Sequence, residues 1–254
     1  MKLKKYLFAM TAMASTCGCL LLSGCSNEAQ EVNNTSTAQA AATVAPTAET
    51  TVAPTTETTV APTAEVTVAP TTEVTDTYKA GTLTADEYKS EYIGIQFKAT
   101  DKYKLATKEQ MEAAFGAGAK VAYGDKSDQV QELSKDTLTY EMMASSATGY
   151  PNVNIGVQKS LVPGMTEEAY MEAFEQQLSA LGTMDAKLGE GKEGDFCGEK
   201  YLITPVTVTV NGIQVQERVY LRKKDENFIF ITVTGSVGGE KEMDDLVANF
   251  TPVK

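Results

Sequence analysis

A glycine-rich stretch followed by a cysteine is the first feature of this sequence that has the residues for chemistry. Residues 189–194 read GEGKEG, which satisfies the G-x-G-x-x-G pattern of a nucleotide-binding turn, and Cys197 lies three residues further on. Such a turn needs a strand before the glycines and a helix directly after them, because the phosphates meet the helix N-terminus. The following residues carry no helical stripe and lead into the β-rich run TPVTVTV. We therefore predict a polar turn that leads into a sheet and binds no phosphate.

Cys197 is a poor candidate for a nucleophile. Its sequence neighbours include three acids, Glu193, Asp195 and Glu199. Acidic neighbours raise the pKa of a thiol and disfavour the reactive thiolate. The sequence therefore predicts a small, buried or half-buried side chain at this position.

The residue inventory excludes most catalytic and metal sites. The chain has no His, which removes Ser-His-Asp and Cys-His mechanisms and any zinc site with a His ligand. Residues 125–130 resemble a calcium loop only in part, because position six is Val instead of Gly. Glu168, Glu172 and Glu175 share one face of a predicted helix, where a solvated face is the simplest interpretation. We predict no catalytic residue, no metal site and no cofactor.

One concentration of positive charge stands out in the C-terminal part of an acidic chain. It consists of Arg218, Arg222, Lys223 and Lys224, which we expect at a strand end and turn. A structural role is the first interpretation, and an anionic partner is the alternative. The formal net charge of the whole chain is −12. Such a surface repels phosphate backbones, so nucleic acid is not expected as a partner.

The N-terminus predicts export and a lipid anchor. Residues 1–5 are basic, residues 6–22 are mostly apolar, and the sequence Leu-Ser-Gly-Cys ends at Cys25. This end resembles the lipobox of bacterial lipoproteins. The resemblance implies that residues 1–24 are a signal peptide, that Cys25 carries diacylglycerol, and that the protein is held at the extracytoplasmic face of the cell membrane. The alternative is an uncleaved transmembrane anchor, because the apolar stretch is close to the minimum spanning length.

Cysteine usage agrees with this hypothesis. Cys17 and Cys19 leave with the signal peptide, Cys25 carries the lipid, and Cys197 remains alone. The mature chain then has no intramolecular disulfide, so an ordinary core must hold the fold. Two acyl chains, at about 0.8 kcal/mol for each buried methylene, give stable attachment where one chain holds weakly.

The sequence of residues 25–77 predicts a lipidated cysteine followed by a disordered linker. Between residues 26 and 77 there are seven acids, no Lys or Arg, and an eight-residue unit that recurs from Val44, Val52, Val60 and Val68. Burial of so few bulky apolar groups cannot offset the conformational entropy that the chain would lose on folding. The regular Pro residues favour extended conformations, with a maximum reach of about 160 Å. We expect a tether, and O-glycosylation of its Thr residues is a further possibility.

The sequence pattern of residues 78–254 predicts a single globular α+β domain. Its sheet is expected to be mainly antiparallel, with about three helices packed on it. Alternating apolar residues and turn signals mark the strands. The predicted strands are 91–98, 138–146, 152–160, 201–210, 213–221 and 227–234. Asn211 and Gly212 are the strongest hairpin signal in the chain, because both residues tolerate positive φ.

Helix-capping residues and apolar residues at helical spacing predict the helices. A capping box at Thr107 begins a short helix that ends at residue 115, before Gly116 and Gly118. A second helix begins after Thr166 and ends at Gly182. Its apolar stripe consists of Tyr170, Phe174, Leu178 and Leu181. A third helix, from about residue 239, carries Met243, Leu246, Val247 and Phe250 on one side.

Two segments carry a further resemblance. Residues 88–97 read YKSEYIGIQF, and the closing strand FIFITVTG precedes a helix that ends in Asn249-Phe250. This pattern is similar to bacterial lipoproteins with a PsbP-like fold. The resemblance implies an α/β/α sandwich that works by binding other proteins, and it carries no catalytic residue.

We therefore expect a membrane-anchored, non-catalytic binding or accessory module for a protein or a component of the cell envelope. The alternative is a lipoprotein that captures a small ligand for a transporter. A cleft lined by tyrosines would favour the ligand, whereas a flat aromatic patch would favour a protein partner. The tyrosines in question are Tyr92, Tyr103, Tyr123, Tyr140 and Tyr150.

Overall fold

The computed structural model describes residues 78–181, 184–210 and 212–253. The predicted signal peptide, Cys25 and the linker through residue 77 lie outside the described residues. So do Gly182, Asn211 and the side chain of Leu181, on which parts of two predictions depend.

The described residues form twelve strands and four α-helices. The helices are α1 (Lys108–Tyr123), α2 (Ser127–Ser134), α3 (Glu167–Leu181) and α4 (Glu240–Val247). A 3-10 turn over Gly124–Lys126 joins α1 to α2, so the described residues have three helical segments, as expected. The strands are β1 (Thr82–Leu83), β2 (Glu87–Ser90), β3 (Ile95–Lys98), β4 (Tyr103–Leu105), β5 (Leu138–Ser146), β6 (Asn152–Lys159), β7 (Met184–Leu188), β8 (Lys192–Phe196), β9 (Glu199–Val210), β10 (Ile213–Lys224), β11 (Asn227–Ser236) and β12 (Phe250–Pro252).

The strands form two antiparallel sheets. The large sheet has the order β4-β5-β6-β11-β10-β9-β7, with β8 also paired to β9, and the small sheet has the order β1-β2-β3-β12. All strand pairs in both sheets are antiparallel. Antiparallel sheets with separate helices packed on them define the α+β class, which confirms the prediction.

Two apolar cores lie on opposite faces of the large sheet. On one face, Phe97 of the small sheet and Leu246 of α4 pack with Ile155 and Ile231. On the other face, α3 packs against β9, β10 and β11 through Phe174 and its neighbours. The large sheet is therefore the middle layer, and it must bury both of its faces.

Helix α3 follows the sequence pattern closely. The backbone N–H of Ala169 donates to Thr166 Oγ1 at 3.3 Å, which satisfies one of the unpaired donors of the first turn. Tyr170, Phe174 and Leu178 are all buried. The predicted N-terminus and apolar stripe are thus confirmed for the described residues.

The hairpin between β9 and β10 is also confirmed. Val210 pairs with Ile213, and Gly212 has a φ of +79°, which suits glycine. The strands run further than predicted, since β9 begins at Glu199 and β10 continues to Lys224.

The predicted strand 91–98 is wrong in its first half. Residues 91–94 form a turn that joins β2 to β3, and the N–H of Gly94 donates to the carbonyl of Ser90 at 2.9 Å. Gly94 has a φ of +89°, which ends the extended conformation there. The alternating pattern therefore covers a turn and one short strand of a hairpin.

The predicted helix end at residue 115 is also wrong. The capping box between Thr107 and Gln110 is present, but α1 continues to Tyr123. Ala119 and Ala122 extend its buried face beyond the glycines. The absent side chain of Gly116 leaves room for α2, because a Cβ there would lie 3.2 Å from Gln131 Oε1. Gly116 thus permits close helix packing instead of ending the helix.

Phe250 is not part of the last helix. Helix α4 ends at Val247, and Phe250 begins β12, where it pairs with Phe97 of β3. Its ring lies 4.9 Å from that of Phe97. The residue is buried as expected, but a strand places it there.

Among the described residues, no helix has both the length and the apolar character needed to cross a membrane.

Candidate functional site

The glycine-rich stretch is divided between a turn and a strand. Residues 189–191 connect β7 to β8, and Lys192–Phe196 is β8, which pairs with β9. A strand therefore stands where a phosphate-binding turn needs a helix. The prediction of a polar turn holds for the first half of the stretch and is wrong for the second half.

The glycines of this stretch are explained by close packing on β9. A Cβ at Gly189 would lie 2.7 Å from Pro205 Cγ, and one at Gly191 would lie 2.9 Å from Thr204 Oγ1. At Gly194 the distance to Ile203 Cδ1 would be 2.5 Å. A Cβ at any of these positions would force its neighbour on β9 to move, so the spacing of the glycines reflects the close path of the chain over β9.

Cys197 is half-buried in the turn between β8 and β9, with a backbone φ of +52°. Burial raises the pKa of the Cys197 thiol to about 11. The predicted direction agrees, but its cause is desolvation of the thiolate instead of repulsion by acidic neighbours. A thiol with this pKa is almost fully protonated at neutral pH and is a weak nucleophile.

Arg222 and Lys224 of the basic cluster fasten β10 to the small sheet. Arg222 Nη1 lies 2.6 Å from Glu199 Oε2, and its Nη2 donates to the carbonyl of Ile93 at 3.0 Å. Lys224 Nζ donates to the carbonyl of Tyr92 at 2.6 Å. Both side chains therefore make intramolecular contacts that join the two sheets.

The other two members of the cluster point to different neighbours. Lys223 Nζ donates to the carbonyl of Met165, just before α3, at 3.0 Å. Arg218 Nη1 lies 2.7 Å from Asp244 Oδ1 of α4. Each of the four charges therefore has a partner within the protein, as the structural interpretation of the cluster requires.

The five candidate tyrosines do not line one cleft. Tyr92 and Tyr103 are buried in the core between the two sheets. Tyr123, Tyr140 and Tyr150 are half-buried against the core on the helical face. The large sheet separates the two groups, so they form neither a shared pocket nor a shared patch.

The three acidic residues of α3 that the sequence placed on one face lie in solvent, as predicted. Glu168, Glu172 and Glu175 are exposed. In residues 78–181, 184–210 and 212–253, no three His, Cys, Asp or Glu side chains converge as metal ligands would.

Sequence reasoning missed a buried carboxylate, Glu141, which is only 5% exposed. The register between β5 and β6 shifts between Tyr140 and Met142, so Glu141 is the extra residue of a β-bulge. A bulge redirects a side chain relative to simple alternation. Glu141 consequently faces the small sheet together with Met142, and alternation along the strand would have put them on opposite faces.

Three donors from the first of the described residues, between positions 78 and 88, meet at this carboxylate. Tyr88 of β2 donates its hydroxyl to Oε2 at 2.7 Å, and the N–H of Gly81 donates to the same oxygen at 2.7 Å. Tyr78 donates its hydroxyl to Oε1 at 3.1 Å. Both carboxylate oxygens are therefore hydrogen-bonded, as a buried carboxyl group requires.

The pKa shifts of Glu141 and of its two tyrosine donors agree with stable hydrogen bonds between them. Burial raises the pKa of Glu141, and the hydrogen bonds from Tyr88, Gly81 and Tyr78 oppose that shift. Burial and the nearby carboxylate raise the pKa of Tyr78 and of Tyr88. The tyrosines therefore stay protonated and serve as donors. Glu141 is the one charged residue of β5, but this feature of the sequence does not indicate where its side chain lies.

No protein-family model and no curated protein matches this sequence. Among solved structures, the chain is similar to cyanobacterial PsbP (CyanoP) from Synechocystis sp. PCC 6803. The TM-score is 0.42 at 10% sequence identity, over 70% of this chain and 96% of that chain.

Two further solved structures are similar over part of the chain. A protein of unknown function from Pseudomonas aeruginosa gives a TM-score of 0.31 at 11% identity, over 46% of this chain and 82% of that chain. A protein from Bacteroides thetaiotaomicron VPI-5482 gives a TM-score of 0.35 at 8% identity, over 68% of this chain and 50% of that chain. The assignment to the α+β class rests on the strand pairing described above.

Proposed function

We propose that this protein is a lipoprotein that is anchored to the extracytoplasmic face of the cell membrane through diacylglycerol on Cys25. The observation that carries the proposal is the order of a basic start, an apolar stretch and Leu-Ser-Gly-Cys at the N-terminus. Residues 26–77 act as the tether. Residues 78–254 are presented at its end as a non-catalytic binding or accessory module for a protein or an envelope component.

Several contacts of the described residues support this function. Glu141 fixes Tyr78, the first described residue after the linker, to the large sheet. Tension on the linker would therefore pass through Tyr78 and Glu141 to the core of the domain. The half-buried thiol of Cys197, with its raised pKa, and the internally paired Arg222 offer no reactive group.

Capture of a small ligand for a transporter, the alternative, gains no such support. That function was expected to place several tyrosines around one cleft. Tyr92 and Tyr140, for example, pack in cores on opposite faces of the large sheet.

Incorporation of labelled fatty acid tests the anchor. The wild-type protein should carry label and lose residues 1–24, whereas Cys25→Ala should carry no label and keep them. Cys197→Ala is the matched control, because it removes a cysteine outside the predicted lipobox, and it should label like the wild type. Label on the Cys25→Ala protein would disprove the lipid attachment.

The non-catalytic module is tested by crosslinking in intact cells. A lipidated, wild-type protein should crosslink reproducibly to one envelope component, and the same component should be lost when residues 78–254 are replaced by an unrelated domain on the same anchor. Crosslinks that persist after this replacement would show that the anchor alone, and not the domain, makes the contact.

A further inference from the structure

Five polar side chains lie buried side by side in the middle of the large sheet. They form two neighbouring rows across β6, β11 and β10, in which Asn152 is opposite Thr234, Thr234 is opposite Glu217, and Asn154 is opposite Thr232. Each of the five is at most 3% exposed. Residues of these types lie mostly at protein surfaces, and a buried carboxylate is rarer still. We call these five residues the polar floor.

The polar floor faces the helices. Glu217 is opposite Val206 of β9 and Thr232 is opposite Val219 of β10, and both valines belong to the core beneath α3. Residues that are directly opposite in a sheet lie on the same face. Helix α1 packs on β5, and α3 packs on β7 and β10, so β6 and β11 lie between strands that the two helices cover. The polar floor therefore lies beneath the junction of α1 and α3.

Two amide oxygens on the helical face lack a donor in the part of the chain that the structure describes. Asn152 donates its Nδ2 to the carbonyl of Gly149 at 2.9 Å, and its buried Oδ1 has no such contact. Gln177 of α3 donates its Nε2 to the hydroxyl of Tyr123 of α1 at 3.4 Å, and its buried Oε1 has none either. Buried polar atoms normally have a partner. A group that completes this site must therefore bring donors or positive charge.

The chemistry of the polar floor suits a metal cation. Carboxylate, amide and hydroxyl oxygens are the ligands of hard cations such as calcium. Glu217 supplies the one negative charge, and Thr234 Oγ1 donates to its Oε1 at 3.3 Å. Because opposite residues have Cβ atoms about 4.5–5.5 Å apart, Asn152 and Glu217 lie on either side of Thr234 within about 10 Å. Calcium–oxygen distances of about 2.3–2.6 Å let both side chains reach one ion.

We infer that the polar floor binds a hard metal cation of the calcium type through Asn152 Oδ1, the Glu217 carboxylate and the hydroxyl of Thr234. The site contains a single acid, so it differs in kind from the clusters of three acids, cysteines or histidines that do not occur in the described residues. A single negative charge predicts weak binding, with a Kd of about 10⁻⁴–10⁻³ M, as in extracellular calcium modules. The inference goes beyond the proposed function and does not depend on the lipid anchor.

Urea unfolding of the full-length protein in detergent tests the site. We would compare about 10 mM calcium chloride with a chelator at matched ionic strength, which is roughly 10–100 times the expected Kd. The ratio of folded to unfolded protein should rise by roughly the same factor, because calcium binds the folded state. Glu217→Gln keeps the shape of the side chain and removes its charge, so it should lose most of this effect. Glu175→Gln makes the same change at an exposed position of α3 and should keep it.

Asn152→Asp provides a gain of binding that a variant with a damaged fold could not give. The change keeps the shape and adds a second carboxylate to the polar floor, and calcium affinity rises with the charge of the ligands. The variant loses the hydrogen bond to Gly149, so it should be less stable than the wild type in chelator and should recover stability in calcium.

Terbium luminescence measures the binding itself, because terbium replaces calcium and is excited through tyrosine. The chain has eleven Tyr and no Trp, so tyrosine alone transfers the excitation. Asn152→Asp should bind terbium about tenfold more tightly than the wild type, since added ligand charge tightens such sites. Asn249→Asp, which follows α4 on the other side of the large sheet, should bind it like the wild type.

Three results would overturn the inference. The first is an equal effect of calcium on the wild type and on Glu217→Gln, and the second is terbium binding that Asn152→Asp leaves unchanged. The third is stabilisation by methylammonium chloride but not by calcium, which would assign the polar floor to an organic cation. The fatty-acid assay at Cys25 is independent of all three, because it reports on the anchor alone.

Discussion

The hydroxyl of Tyr88 donates a 2.7 Å hydrogen bond to Oε2 of Glu141, and this contact joins the small sheet to a bulge in the large sheet. The same oxygen accepts the N–H of Gly81. One carboxylate thus joins the two sheets and the residue that precedes β1. A substitution of Glu141 should therefore perturb the packing at this junction more than in the rest of the core.

Glu141→Gln should change how the stability of the protein depends on pH. Burial raises the pKa of Glu141 in the folded state above its ordinary value. Between these two pKa values the folded state binds the proton more tightly than the unfolded state. The contribution of Glu141 to the free energy of unfolding is therefore fully present below the ordinary pKa and is lost as pH rises through the folded pKa. Urea unfolding of both proteins from pH 4 to pH 8 measures the difference.

Glu175→Gln is the control for this experiment, because it makes the same chemical change at an exposed position of α3. Its stability curve should run parallel to that of the wild type. If the curves for Glu141→Gln and the wild type are parallel as well, Glu141 does not titrate in the way its burial requires.

Phe174→Ala should destabilise the protein strongly. The ring is 4% exposed in the core between α3 and the large sheet. Removing a buried Phe side chain costs about 3–5 kcal/mol through lost burial and the cavity left behind. The midpoint of urea unfolding should therefore fall clearly below that of the wild type.

Glu175→Ala, one residue further along the helix, replaces an exposed side chain and should change stability by no more than about 0.5 kcal/mol. Similar midpoints for Phe174→Ala and Glu175→Ala would mean that α3 does not hold the core as described.

Cys197 should react slowly with an alkylating reagent while the protein is folded. Burial raises the pKa of the thiol to about 11, so little thiolate exists at pH 8. Mass spectrometry of the peptide that contains Cys197 should show faster alkylation in urea, and faster alkylation of the folded protein as pH approaches 11. Equal rates in folded and unfolded protein at pH 8 would contradict the raised pKa.

Cys197→Ser should also be milder than Phe174→Ala, because the thiol is only half-buried. It should leave partner binding intact. A Cys197→Ser protein that folds normally but loses its partner would show that the thiol has a role that its environment does not indicate.

Gly189→Ala should cost more stability than Gly194→Ala. The new Cβ at Gly189 would meet the rigid ring of Pro205 at 2.7 Å, whereas at Gly194 it would meet the flexible end of Ile203 at 2.5 Å. Overpacking typically costs about 1–3 kcal/mol, and a side chain that can turn away reduces that cost. Urea midpoints of the two variants provide the comparison, and a larger loss for Gly194→Ala would contradict the account of the glycine spacing.

The sequence by itself predicted those elements whose signals are local. The cap at Thr166 and the stripe through Phe174 depend only on helical periodicity, and the hairpin before Ile213 depends on the backbone freedom of Gly212. The strand from Leu138 to Ser146 was also correct at both ends. Local preference and tertiary packing agree at these positions, so the sequence pattern is sufficient.

Only the tertiary structure decided the features that depend on contacts between distant segments. Gly116 permits an approach by α2 instead of ending a helix, and Phe250 joins a strand because β3 offers it a partner. Glu141 lies 53 residues from Tyr88 in the chain, and a bulge turns it toward that hydroxyl. A bulge shifts the alternation that a sequence pattern assumes, so no local signal could place this carboxylate at the junction of the two sheets.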